Sequence, residues 1–369
     1  MAHPSRRVIV GLLTLLLLAA FLFTRQPGTR PPLAAAEPAT TAESHVERPP
    51  PLQQENIGID AVTNDTLGFP KIFVVGLPER SDRRDALVLT GALTGFHMEF
   101  VDGVRGETIP DKAIPSPVDR KVLMEANLGS WRGHMNAIRR IIDEDLESAL
   151  IMEDDGKDVR LKKQLKQIAV GARTIMPPTG GSMAPYGNDW DVLWLGHCGE
   201  IFPEVLPENV GKPEHPKYTI SNDETVPPLS KVTGLVKFAD YPEFTRWVHI
   251  AGGPICTFAY AVSQRGARKI LYGLGIDRLG APVDNALADF CRDGASGNQD
   301  GLRAKCISIT PPLFFHHRAK GRITADSDIQ NPNPNEMREK GTTENIVWSA
   351  RNNMRNMLLG LKMENQFEG

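Results

Sequence analysis

The chain has 369 residues, enough for one large or two modest domains, with ordinary apolar content for a globular protein. Its 42 Lys and Arg nearly balance 45 Asp and Glu, a formal charge of −3, so there is no basic field to hold a nucleic acid. Four cysteines without a C-x-x-C pair show neither a zinc ribbon nor a thioredoxin motif.

The N-terminus is organised by hydropathy. After Arg6 and Arg7 an uncharged run, VIVGLLTLLLLAAFLF, extends from Val8 to Phe23 and is followed by Arg25. It is slightly long for a signal-peptide core and slightly short for an average spanning helix, and no A-x-A cleavage pattern follows directly. This reads as a cytoplasmic tail (1–7) and a signal-anchor helix (8–24), with a cleaved signal as the alternative. Either translocates the remainder. The two arginines ahead of the run favour a cytoplasmic N-terminus, hence a single-pass type II protein. Residues 25–69 are rich in Pro, Ala, Thr and Glu and poor in large apolar groups, as in an extended stem. The sequon Asn64-Asp65-Thr66 falls in that stem. Cys198, Cys256, Cys291 and Cys306 would all be lumenal, where disulfides form; three pairings are possible.

From residue 70 the pattern changes. KIFVVGL predicts a strand, then a turn carrying Arg80, Arg83 and Arg84, then a helix. HMEFVDGVRG predicts a second strand closed at Asp102-Gly103. GSWRGHMNAIRRIIDEDL places Trp131, Met135, Ile138, Ile141 and Ile142 at helical spacing. ALIMEDD and DWDVLWLGHCGE are apolar runs that end in polar residues, as buried strands of a parallel sheet do. Residues 201–248 read as an insertion. GGPICTFAYAVSQRGARKILYGL predicts turn, strand and helix; LGAPVDNALADF puts Asp284 at a helix start; AKCISITPPLFFHHRAKG is a last strand ending near His316 and His317. Strands alternating with helices argue for an α/β domain over 70–325 with a mostly parallel sheet, followed by a tail over 326–369.

In such sheets ligands bind beyond the carboxyl ends of the strands, where Glu153, Asp154 and Asp155 lie. Mn²⁺ and Mg²⁺ prefer oxygen ligands and commonly combine one or two carboxylates with substrate phosphates. Alternation points Glu153 and Asp155 to one side and Asp154 to the other. Plain structural alternatives stand beside each candidate. The three acids can be a solvated surface cluster, Arg80 and Arg83 helix-start ion pairs, Asp284 a helix cap, and His134 a hydrogen-bonded core histidine.

The segments IFVVGLPERSDRRDAL, VDGVRG, the helix bearing His134, ALIMEDD, DWDVLWLG and TFAYAVSQRGARKIL…PVDNAL stand in an order that resembles glycosyltransferase family 25. That family holds lipopolysaccharide-type and procollagen galactosyltransferases. The resemblance covers roughly Lys71 to His317. It implies a GT-A-like nucleotide-sugar-binding domain and inverting transfer of a hexose, commonly galactose, from a UDP-sugar to a glycan or glycoprotein acceptor. A lumenal domain on an anchor and stem also suits the Golgi or endoplasmic reticulum membrane. Carried over by position, Glu153 and Asp155 would hold the metal and Asp154 would face the donor. Apart from the resemblance, His316 and His317 are further metal candidates from their place after a late strand beside Arg318 and Lys320. Leu77, Arg80 and Arg83 match the first donor-binding loop. Asp284 matches the acid of the late motif and is the candidate base, with Glu200 and Asp191 competing. LGSWRGHM departs from the family's Gly-Glu-(Ile)-Gly…Ser-His pattern, which leaves the role of His134 open. Two other readings are a catalytically silent lumenal domain that binds sugar nucleotide or a partner, and a metal-dependent phosphoester hydrolase.

Overall fold

The structure is a computed structural model that describes residues 58–115, 118–121, 123–153, 156–157, 159–234, 241–298, 301–329, 333 and 335–368. In chain order it contains β1 (Ile72–Gly76), α1 (Ser81–Thr94), β2 (Glu99–Asp102), α2 (Glu125–Asp143), β3 (Ser148–Met152), β4 (Gly156–Lys157), α3 (Leu161–Ile175), β5 (Val192–Gly196) and β6 (Lys217–Ile220). Then follow β7 (Arg246–Ile250), β8 (Ala259–Ser263), α4 (Gln264–Ile270), which runs into a π-helical turn at Leu271–Asp277, and α5 (Val283–Ser296). Last come β9 (Cys306–Thr310), β10 (Phe314–Phe315), β11 (His317–Arg318), β12 (Gly321–Arg322), β13 (Met337–Arg338), β14 (Thr342–Thr343) and α6 (Met354–Leu359).

One eight-stranded sheet carries the domain, in the order β2-β1-β3-β8-β5-β9-β7-β6. Six strands point the same way; β8 and β7 are reversed, so each makes antiparallel pairs on both sides. The predicted α/β sheet is thus present and mostly parallel by strand direction.

Burial on both faces explains why ALIM is apolar without alternation. Ala149 and Ile151 enter one core with Trp131, Met135 and Ile138 of α2 and with Val283 and Leu287 of α5. Leu150 and Met152 enter the other with Leu87 of α1 and Leu165 and Ile168 of α3. Val192 and Trp194 of β5 divide from Leu193 and Leu195 in the same way. Trp190 and Trp194 are core residues.

Two boundaries differ from expectation. Residues 58–69, assigned to the stem, belong to the folded domain: Ile59, Val62, Leu67 and Phe69 are buried against the α3 side of the sheet. The Phe69 ring stacks on Tyr186 at 4.8 Å, and the Tyr186 hydroxyl donates to the Leu67 carbonyl at 2.9 Å. Four apolar residues in a Pro-rich surrounding carry no periodic signal, although together they cover a sheet face. The described part of 326–369, read as a tail, also packs, with Ile346, Val347 and Ala350 buried. β14 pairs with β11 and β13 with β12. Part of the expected insertion completes the sheet as β6 and β7. It is pinned by a fully buried ion pair, Arg246 Nε to Asp223 Oδ2 at 2.6 Å.

Among the described residues no helix is long and apolar enough to cross a membrane. The expected anchor (8–24) and the stem up to residue 57 lie outside the described residues.

Candidate functional site

Because β8 runs against β3, its beginning lies at the end of β3: Met152 faces Ala259. The chain entering β8, Cys256–Phe258, therefore lies beside the polar end of ALIMEDD. The Glu153 N–H donates to the Phe258 carbonyl at 3.2 Å, and the Thr257 hydroxyl donates to Glu153 Oε1 at 2.6 Å. From beneath, His134 of α2 brings Nε2 to 3.5 Å from the same Oε1. His134 Nδ1 is 2.8 Å from the hydroxyl of Tyr260 in β8. The neighbouring residue contributes too: the Phe258 ring lies 6.0 Å from that of His316.

These neighbours set the charge state of Glu153. Burial pushes its carboxyl upward, but His134, the Thr257 hydroxyl and the field of His316 outweigh it, so the net direction is down and the group is ionised at neutral pH. Tyr260, pushed well up by burial and by the Glu153 charge, stays a phenol.

Asp284 reaches the same segment from another element. It sits in the first turn of α5, with Oδ2 accepting the Cys256 N–H at 3.2 Å. Cys256 is joined to Cys198, beyond the end of β5, and the second bridge links Cys291 to Cys306. Glu153, Asp284 and His316, spread over more than 160 residues of the chain, thus converge on Cys256–Phe258. A polar cluster at the carboxyl edge of parallel strands is where an α/β sheet receives a ligand.

Asp154 and Asp155 lie outside the described residues. Among the described residues no group of three His, Cys, Asp or Glu side chains is arranged to hold a metal ion. Of the expected acidic donors only Glu153 is described, and its part-exposed carboxylate supplies oxygen of the kind Mn²⁺ accepts.

Other sequence candidates lie elsewhere. Asp191 is corrected: it sits at the start of β5, the opposite edge of the sheet, and is fully buried. Its Oδ1 accepts from Arg265 at 2.7 Å, and its Oδ2 accepts from Lys269 at 2.7 Å and from the Lys305 N–H at 2.8 Å. Both oxygens are spent on structure, so no lone pair faces an acceptor hydroxyl. Glu200 is turned inward. Its Oε1 accepts from the N–H groups of Ile201 (2.9 Å), Gly252 (3.3 Å) and Gly253 (3.1 Å), and burial pushes the carboxyl up to about 7. Its position argues for a clamp between two loops, and a buried carboxyl has no path to an acceptor.

His317 is corrected as a metal candidate. Its Nδ1 pairs with the Thr343 hydroxyl at 2.8 Å, and burial, with Arg351, His316 and Arg338 nearby, pushes it down to about 3. It ties the C-terminal segment to the domain.

Leu77 stands in the loop between β1 and α1, against Gly103 of the turn after β2. A Cβ on Gly103 would come within 3.1 Å of the Leu77 nitrogen, so a side chain there would push the two turns apart by a few tenths of an ångström. Arg80 forms a fork with Asp82 at 3.0 and 2.9 Å and also reaches Asp328 (2.5 Å) and the Ala325 carbonyl (2.9 Å). Arg83 donates to the carbonyls of Ala325 and Asp326. Arg80 is thus ion-paired at the helix start, and both Arg80 and Arg83 are bound to the C-terminal segment. Sequence reasoning missed Thr257 and Tyr260; a strand-entry threonine and a tyrosine inside an apolar run carry no local signal of polar function.

No family model matches the chain. It is similar to procollagen galactosyltransferase 2 of Homo sapiens, with 26% identity over 330 residues, 85% of this chain and 46% of that protein. It is likewise similar to procollagen galactosyltransferase 2 of Mus musculus, with 24% identity over 258 residues, 66% of this chain and 34% of the relative. A third relative, of Rattus norvegicus, is the probable inactive glycosyltransferase 25 family member 3, with 22% identity over 262 residues, 68% of this chain and 36% of the relative. The chain spans less than half the length of these curated relatives.

Proposed function

We propose that this chain is an inverting hexosyltransferase with a GT-A-like domain that moves galactose from UDP-galactose to a glycan or glycoprotein acceptor. The observation that carries the reading is the convergence of ionised Glu153, His316 and Asp284 on Cys256–Phe258 at the carboxyl edge of a mostly parallel sheet. Similarity to procollagen galactosyltransferases supports the donor and the acceptor class.

Mn²⁺ or Mg²⁺ would be held by Glu153 and Asp155 with His316 beside them, Asp154 facing the donor; bound there, the cation would stabilise the diphosphate as a leaving group. Glu153 is oriented for this by Thr257. Asp284 is the proposed base: with one oxygen anchored on the Cys256 N–H, its carboxylate is aimed, and it takes the acceptor hydroxyl proton as the anomeric bond breaks. The proposal includes a single-pass type II placement in the Golgi or endoplasmic reticulum membrane. It is supported by the apolar run at 8–24 and by the pairing of all four cysteines, which suits an oxidising compartment.

A silent, donor-binding domain is the second reading, favoured by the relative named as probably inactive. The test is hydrolysis of UDP-galactose, UDP-glucose and UDP-N-acetylglucosamine by the full chain, with Mn²⁺ or EDTA, beside Asp155→Ala and Asp284→Asn. Metal-dependent turnover of UDP-galactose is expected, abolished in Asp155→Ala. In transfer to a procollagen acceptor, Asp284→Asn lowers kcat by roughly 10²–10⁴ with the donor KM little changed. Donor binding without turnover would select the silent domain; a folded chain that neither binds nor cleaves any donor sinks both readings.

A further inference from the structure

α2 buries Leu128, Trp131, Met135 and Ile138, and in the middle of that stripe places His134, 1% exposed. An imidazole there loses its hydration and needs partners at both nitrogens. One partner is Tyr260, itself fully buried, whose hydroxyl is 2.8 Å from Nδ1. The other is Glu153, whose Oε1 is 3.5 Å from Nε2. That separation is long for a hydrogen bond, yet short enough for the ring to act on the carboxylate. Carboxylate, imidazole and phenol therefore form a line from the candidate site into the core.

We infer that His134 and Tyr260 are positioning residues that orient Glu153 for the donor, an inference that rests on the site reading proposed above. The geometry assigns the tautomer. Facing a carboxylate oxygen, which only accepts, Nε2 carries the hydrogen, and Nδ1 is left to the Tyr260 hydroxyl. Held this way, His134 and the Thr257 hydroxyl both act on Oε1, and Oε2 takes neither contact. Glu153 keeps about a third of its side chain exposed (32%), so the rotation of a carboxylate that faces solvent is governed from the dry side. A partner behind a ligating group acts in this manner without touching the ligand.

The test uses the full-length chain in detergent, with folding followed by circular dichroism. Gln places an amide N–H near the position of Nε2, whereas Asn reaches only the position of Nδ1, where its amide oxygen can accept from the Tyr260 hydroxyl. His134→Gln thus preserves the contact to Glu153, and His134→Asn preserves only the one to Tyr260. With UDP and Mn²⁺ as the probe in calorimetry, His134→Asn is expected to weaken binding about 10-fold or more, and His134→Gln by no more than about 3-fold. In ¹⁵N-histidine spectra of the wild type, His134 is expected as the Nε2–H tautomer, and in Tyr260→Phe the Nδ1 resonance loses its hydrogen-bond shift while the tautomer is kept. Equal binding by the Asn and Gln variants, or an Nδ1–H tautomer in the wild type, overturns the inference. Absence of UDP–Mn²⁺ binding by the wild type defeats the donor-site reading instead, and the tautomer then decides alone whether the relay exists.

Discussion

Replacing Glu200 by Gln should stabilise this protein at alkaline pH and leave it nearly unchanged in acid. The Glu200 carboxyl is buried, and its pKa rises from 4.5 to about 7. Below pH 4.5 native and unfolded chains both hold the proton. Between 4.5 and 7 the native chain holds it and the unfolded chain releases it, so stability falls as pH rises, and the loss is complete above about 7. The shift of about 2.5 units corresponds to about 3 kcal/mol. Glutamine keeps an oxygen for the N–H groups of Ile201, Gly252 and Gly253. It carries no charge, and its amide replaces Oε2, which has no hydrogen-bond partner among the described residues. Urea unfolding, followed by tryptophan fluorescence in wild type and variant at pH 5 and pH 8, reads the effect. The difference between the two proteins isolates Glu200, because the buried imidazoles His197 and His249, both pushed down in pKa, titrate alike in each. A gain of about 3 kcal/mol at pH 8 and less than about 1 at pH 5 is expected. A variant no more stable than wild type at pH 8, with the same difference at both pH values, would refute the reasoning.

Asp191→Ala should lower stability by about 3 kcal/mol, since it strips a buried carboxylate from Arg265 and Lys269. Donor turnover per folded molecule should hold; a turnover loss of 100-fold at full folding would return Asp191 to the catalytic site. Cys291→Ala with Cys306→Ala opens a bridge with a sequence separation of 15 and should cost about 3 kcal/mol in denaturant unfolding under oxidising conditions. An unchanged midpoint would show that the bridge adds nothing. Phe69→Ala removes a buried ring stacked on Tyr186 and should cost about 3–5 kcal/mol. A cost below about 0.5 kcal/mol, the range of a surface substitution, would place Phe69 outside the core.

Some of this molecule was legible in its sequence because the signal was local. ALIM, VLWLG and CISIT are short, doubly buried strands, and burial on both faces leaves an unbroken apolar run that can be read directly. The α2 stripe announces itself by period, and the placing of Glu153 at a strand end follows from the run that precedes it. Asp284 at a helix start was equally readable from Pro282 and the apolar spacing that follows. The segments 58–69 and 326–369 were not readable as folded, because their few apolar residues acquire partners only when the sheet exists. Which carboxylates share a site was likewise beyond any local pattern. Asp191 and Glu153 both border apolar strands, but one stands at the amino end of β5 among cations and the other at the carboxyl end of β3 beside His134 and Thr257. Composition determined the elements; the reversal of β8, which brings the chain around Thr257 to the end of β3, decided the chemistry.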